Sequence, residues 1–167
     1  MEKVLKNRPG LPPTFWTYVL CIFICEAVGF ISALVSNTAN NPWFDSLNKP
    51  SFNPPPQVFA PVWTLLYLLM GIASAMVWKS PADNALKQKA QSMFITQLFF
   101  NFCWSILFFK FHSPGFALID IAFMLITISI TIYRFSHISK TAAWLMVPYL
   151  AWVCFATALN FTIWYIN

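Results

Sequence analysis

Residues 15–35 read FWTYVLCIFICEAVGFISALV, an apolar run interrupted by one charged side chain, Glu26. A helix rises about 1.5 Å per residue, so roughly 20 apolar residues cross a hydrocarbon core about 30 Å thick. A basic stretch precedes the run (Lys3, Lys6, Arg8), as in a signal peptide. The run is too long for a signal-peptide core, however, and continues without an Ala-x-Ala-like cleavage site. It reads as a retained membrane span.

Four further runs of the same kind follow, at residues 57–78, 91–111, 116–135 and 142–166. Helix is the state they must adopt, because an open sheet leaves unpaired backbone groups in hydrocarbon and the short alternating segments of a barrel are absent. Composition agrees: 59% of the 167 residues are hydrophobic and 9% charged, against about 25% charged in a soluble domain. The expectation is an all-α integral membrane protein, a bundle of five transmembrane helices forming one domain over residues 1–167. The short links at 112–115 and 136–141 make successive helices antiparallel neighbours. The net charge of +5 is scattered between apolar runs, which excludes a nucleic-acid surface. Cys21, Cys25, Cys103 and Cys154 all fall within apolar runs without a Cys-x-x-Cys, so they are expected as small core residues rather than a disulfide or metal set.

The Lys and Arg residues give an orientation. With the N-terminus cytoplasmic, that side carries Lys3, Lys6, Arg8, Lys79, Lys87, Lys89, Arg134 and Lys140, and the other only Lys49 and Lys110. This bias predicts N-in and C-out. The loop at 36–56 on the outer side is long for a compact protein. It holds Trp43, Phe44, Leu47 and Phe52, and prolines at 42, 50, 54, 55 and 56 stiffen it. Two arrangements fit: an ordered lid packed over the end of the bundle, or an anchor resting in the headgroup layer.

Glu26 and Asp120 are carboxyls inside apolar runs, and Asn101 and Asn160 are amides there. Each is either a hydrogen bond joining helices or part of a site. Depth along the helices separates them. Trp63 and Trp104 lie about 9 Å below the outer ends of the second and third spans. Asn160 and Asp120 sit at similar height, Asn101 and Trp152 nearer the middle, and Glu26 deeper. Indoles, amides and one acid from four helices thus converge beneath the loop. Such a pocket suits a flat, largely apolar ligand with polar edges, and not an ion path, which needs rings of charge or carbonyls.

The loop sequence WFDSLNKP at 43–50, followed by PP at 54–55, Phe59, PVWT at 61–64, Tyr67 and MG at 70–71, resembles the translocator protein family, also called TspO/MBR. The likeness continues through NFCW at 101–104 with Phe108 and Phe109, ALID at 117–120, PYLAW at 148–152, FAT at 155–157 and LN at 159–160. The resemblance implies a five-helix bundle, usually a homodimer, with a ligand pocket under the first loop. It implies porphyrins and haem precursors as ligands, and for animal members cholesterol and benzodiazepine-type drugs. Carried over by motif, the pocket residues are Trp43, Phe44, Pro50, Phe59, Trp63, Asn101, Trp104, Trp152, Phe155, Ala156 and Asn160, beside the Asp120 reached from depth. Light-dependent porphyrin breakdown proposed for bacterial relatives would fall to Trp63 and Trp152.

This chain departs from the family pattern at three places. Phe52 stands where the family usually has Trp, and Phe44 where it usually has Tyr. Phe161 and Tyr165 occupy the positions of the Tyr and basic residue of the animal cholesterol consensus, which lowers the expectation of sterol binding. His112 and His137 lie in loops on opposite sides, as solvated residues, so porphyrin or haem is expected as a ligand rather than a fixed cofactor, and no metal site is expected. The expected partners are a tetrapyrrole or other lipophilic small molecule, membrane lipid and a second copy of the chain. A membrane receptor or regulator is the favoured reading. A transporter of the same ligands and a porphyrin-degrading protein are the alternatives. No nucleophile–base pair is legible in the sequence.

Overall fold

The computed structural model describes residues 13–167, so Lys3, Lys6 and Arg8 fall outside the described residues. The elements are α1 (Pro13–Ser36), α2 (Pro42–Ser46), α3 (Pro56–Lys79), α4 (Asn84–Ser105), α5 (Pro114–Ser136) and α6 (Lys140–Ile166). A π-helical turn at Ile106–Lys110 extends α4. Among the described residues there is no strand. Five helices, α4 counted with its π turn, are long and apolar enough to cross a membrane. The chain is an integral, multi-pass membrane protein.

Side-chain packing closes the five long helices into a ring in the order α1, α3, α6, α5, α4. Its interior is a continuous core that includes Met70, Phe94, Met124, Phe135, Met146 and Tyr149. The helix α1 contributes least to that core. Phe15, Leu20, Phe23, Phe30, Ile31 and Leu34 all lie on its exposed, lipid-facing surface. It meets α3 through glycine. A Cβ on Gly71 would stand 2.5 Å from the Ile22 Cα, and one on Gly29 would stand 2.2 Å from the Tyr67 ring. Only a residue without a side chain permits backbones to approach this closely.

The third membrane helix begins at Asn84, a full turn and more before the apolar run at 91. Asp83 explains the early start, since its side chain accepts from the N–H groups of Ala85 at 2.8 Å and Leu86 at 3.3 Å. A capped polar turn carrying Lys87 and Lys89 costs nothing outside the hydrocarbon, and hydropathy alone does not register it. The cysteines also divide differently from expectation. Cys25 is buried, but Cys154 is exposed on the outside of α6. In lipid an apolar residue gains little by facing inward, so position on the helix face decides.

The outer loop contains α2, which its prolines had hidden. Asn41 caps it by accepting from the Phe44 N–H at 3.0 Å, with Pro42 at the first helical position. Trp43, Phe44 and Leu47 pack against Phe108, Ala117 and Ile163 at the end of the bundle. The Asn41 amide donates to the Phe109 carbonyl at 2.9 Å. Asn167, just past α6, exchanges two hydrogen bonds with the Asn48 backbone. Of the loop's large apolar residues, Phe52 alone is exposed. The loop lies on the bundle and is pinned near its start, at Asn41, and at its middle, at Asn48.

Candidate ligand site under the first loop

Trp63 and Tyr67 are four residues apart on α3 and therefore share a face. Their rings stack at 5.6 Å between centroids with planes 28° apart. Trp63 also meets the edge of Tyr149 from α6 at 6.3 Å. The two tyrosines reach Asn101 of α4 from either side. Tyr67 donates its hydroxyl proton to Asn101 Oδ1, and Asn101 Nδ2 donates to the Tyr149 hydroxyl at 3.2 Å. Tyr149 in turn donates toward Met124 Sδ at 3.4 Å. The Asn101 amide, buried in the bundle, thus has both ends occupied, as a buried amide must.

Toward the loop, Trp152 lies edge-to-face with Phe59 at 6.1 Å and tilted against Phe155 at 5.5 Å. Phe155 meets Phe52 of the loop at 6.4 Å. Trp63, Trp152 and Ala156 are half-buried and pack on the main core. These rings already touch aromatic neighbours.

A second group forms around Trp104. Its indole N–H donates to Asn160 Oδ1 at 3.0 Å, and Asn160 Nδ2 donates to the Pro114 carbonyl at 2.9 Å. Trp104 stacks on Phe108 at 5.5 Å, and Phe108 carries the edges of Trp43 at 5.6 Å and Phe44 at 6.0 Å. The Lys49 ammonium stands 4.7 Å over the Phe44 ring, a cation–π contact that a ring without a hydroxyl serves equally well. Trp104 packs on both clusters, and so joins this group to the main core.

The residues singled out in the sequence therefore fall into two adjoining sets. Trp63, Asn101, Trp152, Phe155, Ala156 and Phe59 gather between α3, α4 and α6. Trp43, Phe44, Trp104 and Asn160 gather where the loop meets α4 and α5. Pro50 is half-buried and accepts the turn hydrogen bond from the Asn53 N–H at 3.0 Å. Asp120 is buried on α5, and its Oδ2 has no hydrogen-bond partner among the described residues. Glu26 is half-buried and forms no hydrogen bond or ion pair among the described residues. His112 is exposed, as a loop residue should be, yet it stacks on Trp43 at 4.4 Å.

Tyr67, Tyr149, Phe108 and Asn41 belong to the arrangement but stand outside the pocket set expected from the sequence. Helical spacing from Trp63 and Trp152 would have found the tyrosines, and the Asn-Pro start of α2 would have found Asn41. Nothing local marks Asn167. Two open grooves, of about 400 and about 310 Å3, lie elsewhere, and neither is bounded by Trp63 or Trp152. Among the described residues no group of three or more His, Cys, Asp or Glu comes together.

Comparison with known proteins adds a second line. Residues 21–165 match the model of the TspO/MBR family. The chain is 42% identical to the tryptophan-rich protein TspO of Chlorobaculum tepidum, over 90% of this chain and 96% of that one. It is 32% identical to the human translocator protein, over 92% and 90% of the two chains. It is 37% identical to the tryptophan-rich sensory protein of Cereibacter sphaeroides, over 71% and 73%.

Proposed function

The chain belongs to the TspO/MBR family, and from that premise we propose that it is a membrane receptor or regulator binding tetrapyrroles beneath the loop at 36–56. Porphyrins, haem precursors and similar planar apolar molecules are its ligand class. The observation that carries the reading is the convergence of Trp63, Tyr67, Tyr149 and Trp152 around the Asn101 amide, with Phe59 and Phe155 above them. Flat aromatic faces supply stacking and apolar burial, and the amide–hydroxyl chain supplies a place for a polar edge. One relative is named a sensory protein, and a sensing role is carried to this chain on that likeness. The tetrapyrrole acts as a ligand and not as a fixed cofactor.

We also propose that the protein works as a homodimer with its N-terminus in the cytoplasm. The charge bias supports the orientation, and the broad lipid-facing apolar surface leaves room for a second copy.

The test is titration of protoporphyrin into the detergent-solubilised full-length protein, read by the porphyrin's own absorbance. Saturable binding is expected, weakened about tenfold, or ~1.4 kcal/mol, in the Trp63→Phe, Trp152→Phe double variant. Unchanged affinity overturns the site. Porphyrin turnover in the dark would make the protein an enzyme, whereas loss only under light with oxygen present marks photochemistry of a bound sensitiser. Sustained porphyrin flux through sealed vesicles would make it a transporter.

A further inference from the structure

A groove of about 400 Å3 opens where the end of α1, the start of the outer loop and the π turn of α4 meet. Its walls include Ser36, Asn37, Asn41, Trp43, Lys110 and His112, and of the proposed tetrapyrrole site it shares only Trp43. Unused hydrogen-bond donors collect here. The Lys110 ammonium has no hydrogen bond or ion pair among the described residues. The His112 ring lies flat on Trp43 with 16° between planes, and its edge nitrogens have no hydrogen-bond partner among the described residues. The Ser36 hydroxyl is buried and unpartnered. No carboxylate lines the groove.

Two helix ends border this space, and helix C-termini by themselves repel anions. Several of their terminal carbonyls are already taken. Asn37, at φ 50°, closes α1 with its own N–H on the Leu34 carbonyl and the Thr38 N–H on the Ala33 carbonyl. His112, at φ 51°, ends the α4 extension, where the N–H groups of Phe111 and Ser113 take the carbonyls of Ile106 and Leu107. Asn41 occupies the carbonyl of Phe109. Against this softened helix-end field, the groove offers the unpaired donors of Lys110, His112 and Ser36.

The groove also has a defined height. It lies where α1 and α4 leave their apolar spans, the level of lipid headgroups. Below it, Ile31, Leu34 and Val35 of α1 are exposed to the bilayer. We propose that this groove binds the phosphate-ester headgroup of a membrane phospholipid. Lys110 is its charge partner, His112 and Ser36 supply further donors, and an acyl chain runs down the exposed face of α1. A phosphodiester carries one negative charge and the groove offers one unpaired ammonium, so the charges match. The proposal is independent of the tetrapyrrole reading.

Native mass spectrometry of the detergent-solubilised full-length protein tests it, with dioleoyl phosphatidylglycerol, dioleoylglycerol and inorganic phosphate as probes. Phosphatidylglycerol is expected to stay bound, and dioleoylglycerol, with the same chains and no phosphate, is expected to be lost. Lys110→Gln should weaken retention about tenfold, the worth of one charge-assisted contact, and Ser36→Ala should weaken it by less. Lys49→Gln, which removes the same charge at the same end outside the groove, should leave it unchanged. Because Lys110 is exposed, an unaltered circular dichroism spectrum of its variant is expected. Equal retention of both lipids, or undiminished retention by the Lys110 variant, overturns the proposal. So does complete displacement of the phospholipid by excess inorganic phosphate, which would make the groove a site for free anions.

Discussion

Asn167 and Asn48 hold each other twice: the Asn48 N–H donates to Asn167 Oδ1 at 2.9 Å, and Asn167 Nδ2 donates to the Asn48 carbonyl at 3.1 Å. One side chain beyond the last helix thereby fixes the middle of a loop far away in sequence. In Asn167→Ala both bonds go, and water replaces them because the pair is exposed. Global stability should change by less than about 1 kcal/mol. Hydrogen exchange across residues 36–56 should nonetheless speed up, since opening of this segment is a local event. Exchange as slow as in the parent protein would show that the Asn41 bond and the aromatic contacts suffice alone.

Gly71→Ala tests the α1–α3 contact. The new methyl would meet backbone atoms of Ile22 at 2.5 and 2.8 Å, and backbone does not move aside as a side-chain tip does. A loss of about 1–3 kcal/mol is expected, seen as a lower melting temperature in detergent. At Gly115 the neighbour is the Trp164 side chain at 3.1 Å, so Gly115→Ala should cost less. Equal effects at the two positions would contradict the close backbone approach.

Trp104→Phe keeps the stacked ring and removes the indole N–H. The Asn160 Oδ1 then loses its donor at a buried position, for an expected cost of about 1–3 kcal/mol. Asn160→Leu should cost a similar amount, and the double variant should cost clearly less than the sum. Strict additivity of the two melting shifts would mean that the bond contributes nothing.

Gln97 gives a prediction of opposite sign. It is fully buried on α4, and both its Nε2 and its Oε1 lack partners. An unpaired amide in a dry interior is unfavourable, so Gln97→Met, of similar shape, should stabilise the bundle by about 1–3 kcal/mol. A lower melting temperature for this variant would reveal an internal water bridging the amide.

The five spans were legible because hydrocarbon imposes a length and a composition that few other contexts produce. The early start of α4 was not, because Asp83 caps a polar turn that hydropathy ignores. The site was legible in height but not in direction. Counting 1.5 Å per residue places Trp63, Trp104 and Asn160 at one level, yet it gives no angle around each helix. Hence a single expected pocket separates into one group on Trp63 and Trp152 and another on Trp104 and Trp43. The tyrosines at 67 and 149 stand in the family-like motifs yet outside the expected pocket set, because the sequence attaches no partner to them. Their role depends on Asn101, which arrives from another helix.

The π turn at Ile106–Lys110 is equivalent to one surplus residue accommodated inside a helix. Its length sets the azimuth of everything after it, since each residue turns a helix by about 100°. Removing one residue there would yield a smoother helix and swing His112 out from beneath Trp43. The carbonyl of Phe109 would turn away from Asn41 as well. A change that regularises the backbone would thus unmoor the loop, so at this position local irregularity is the condition for order at a distance.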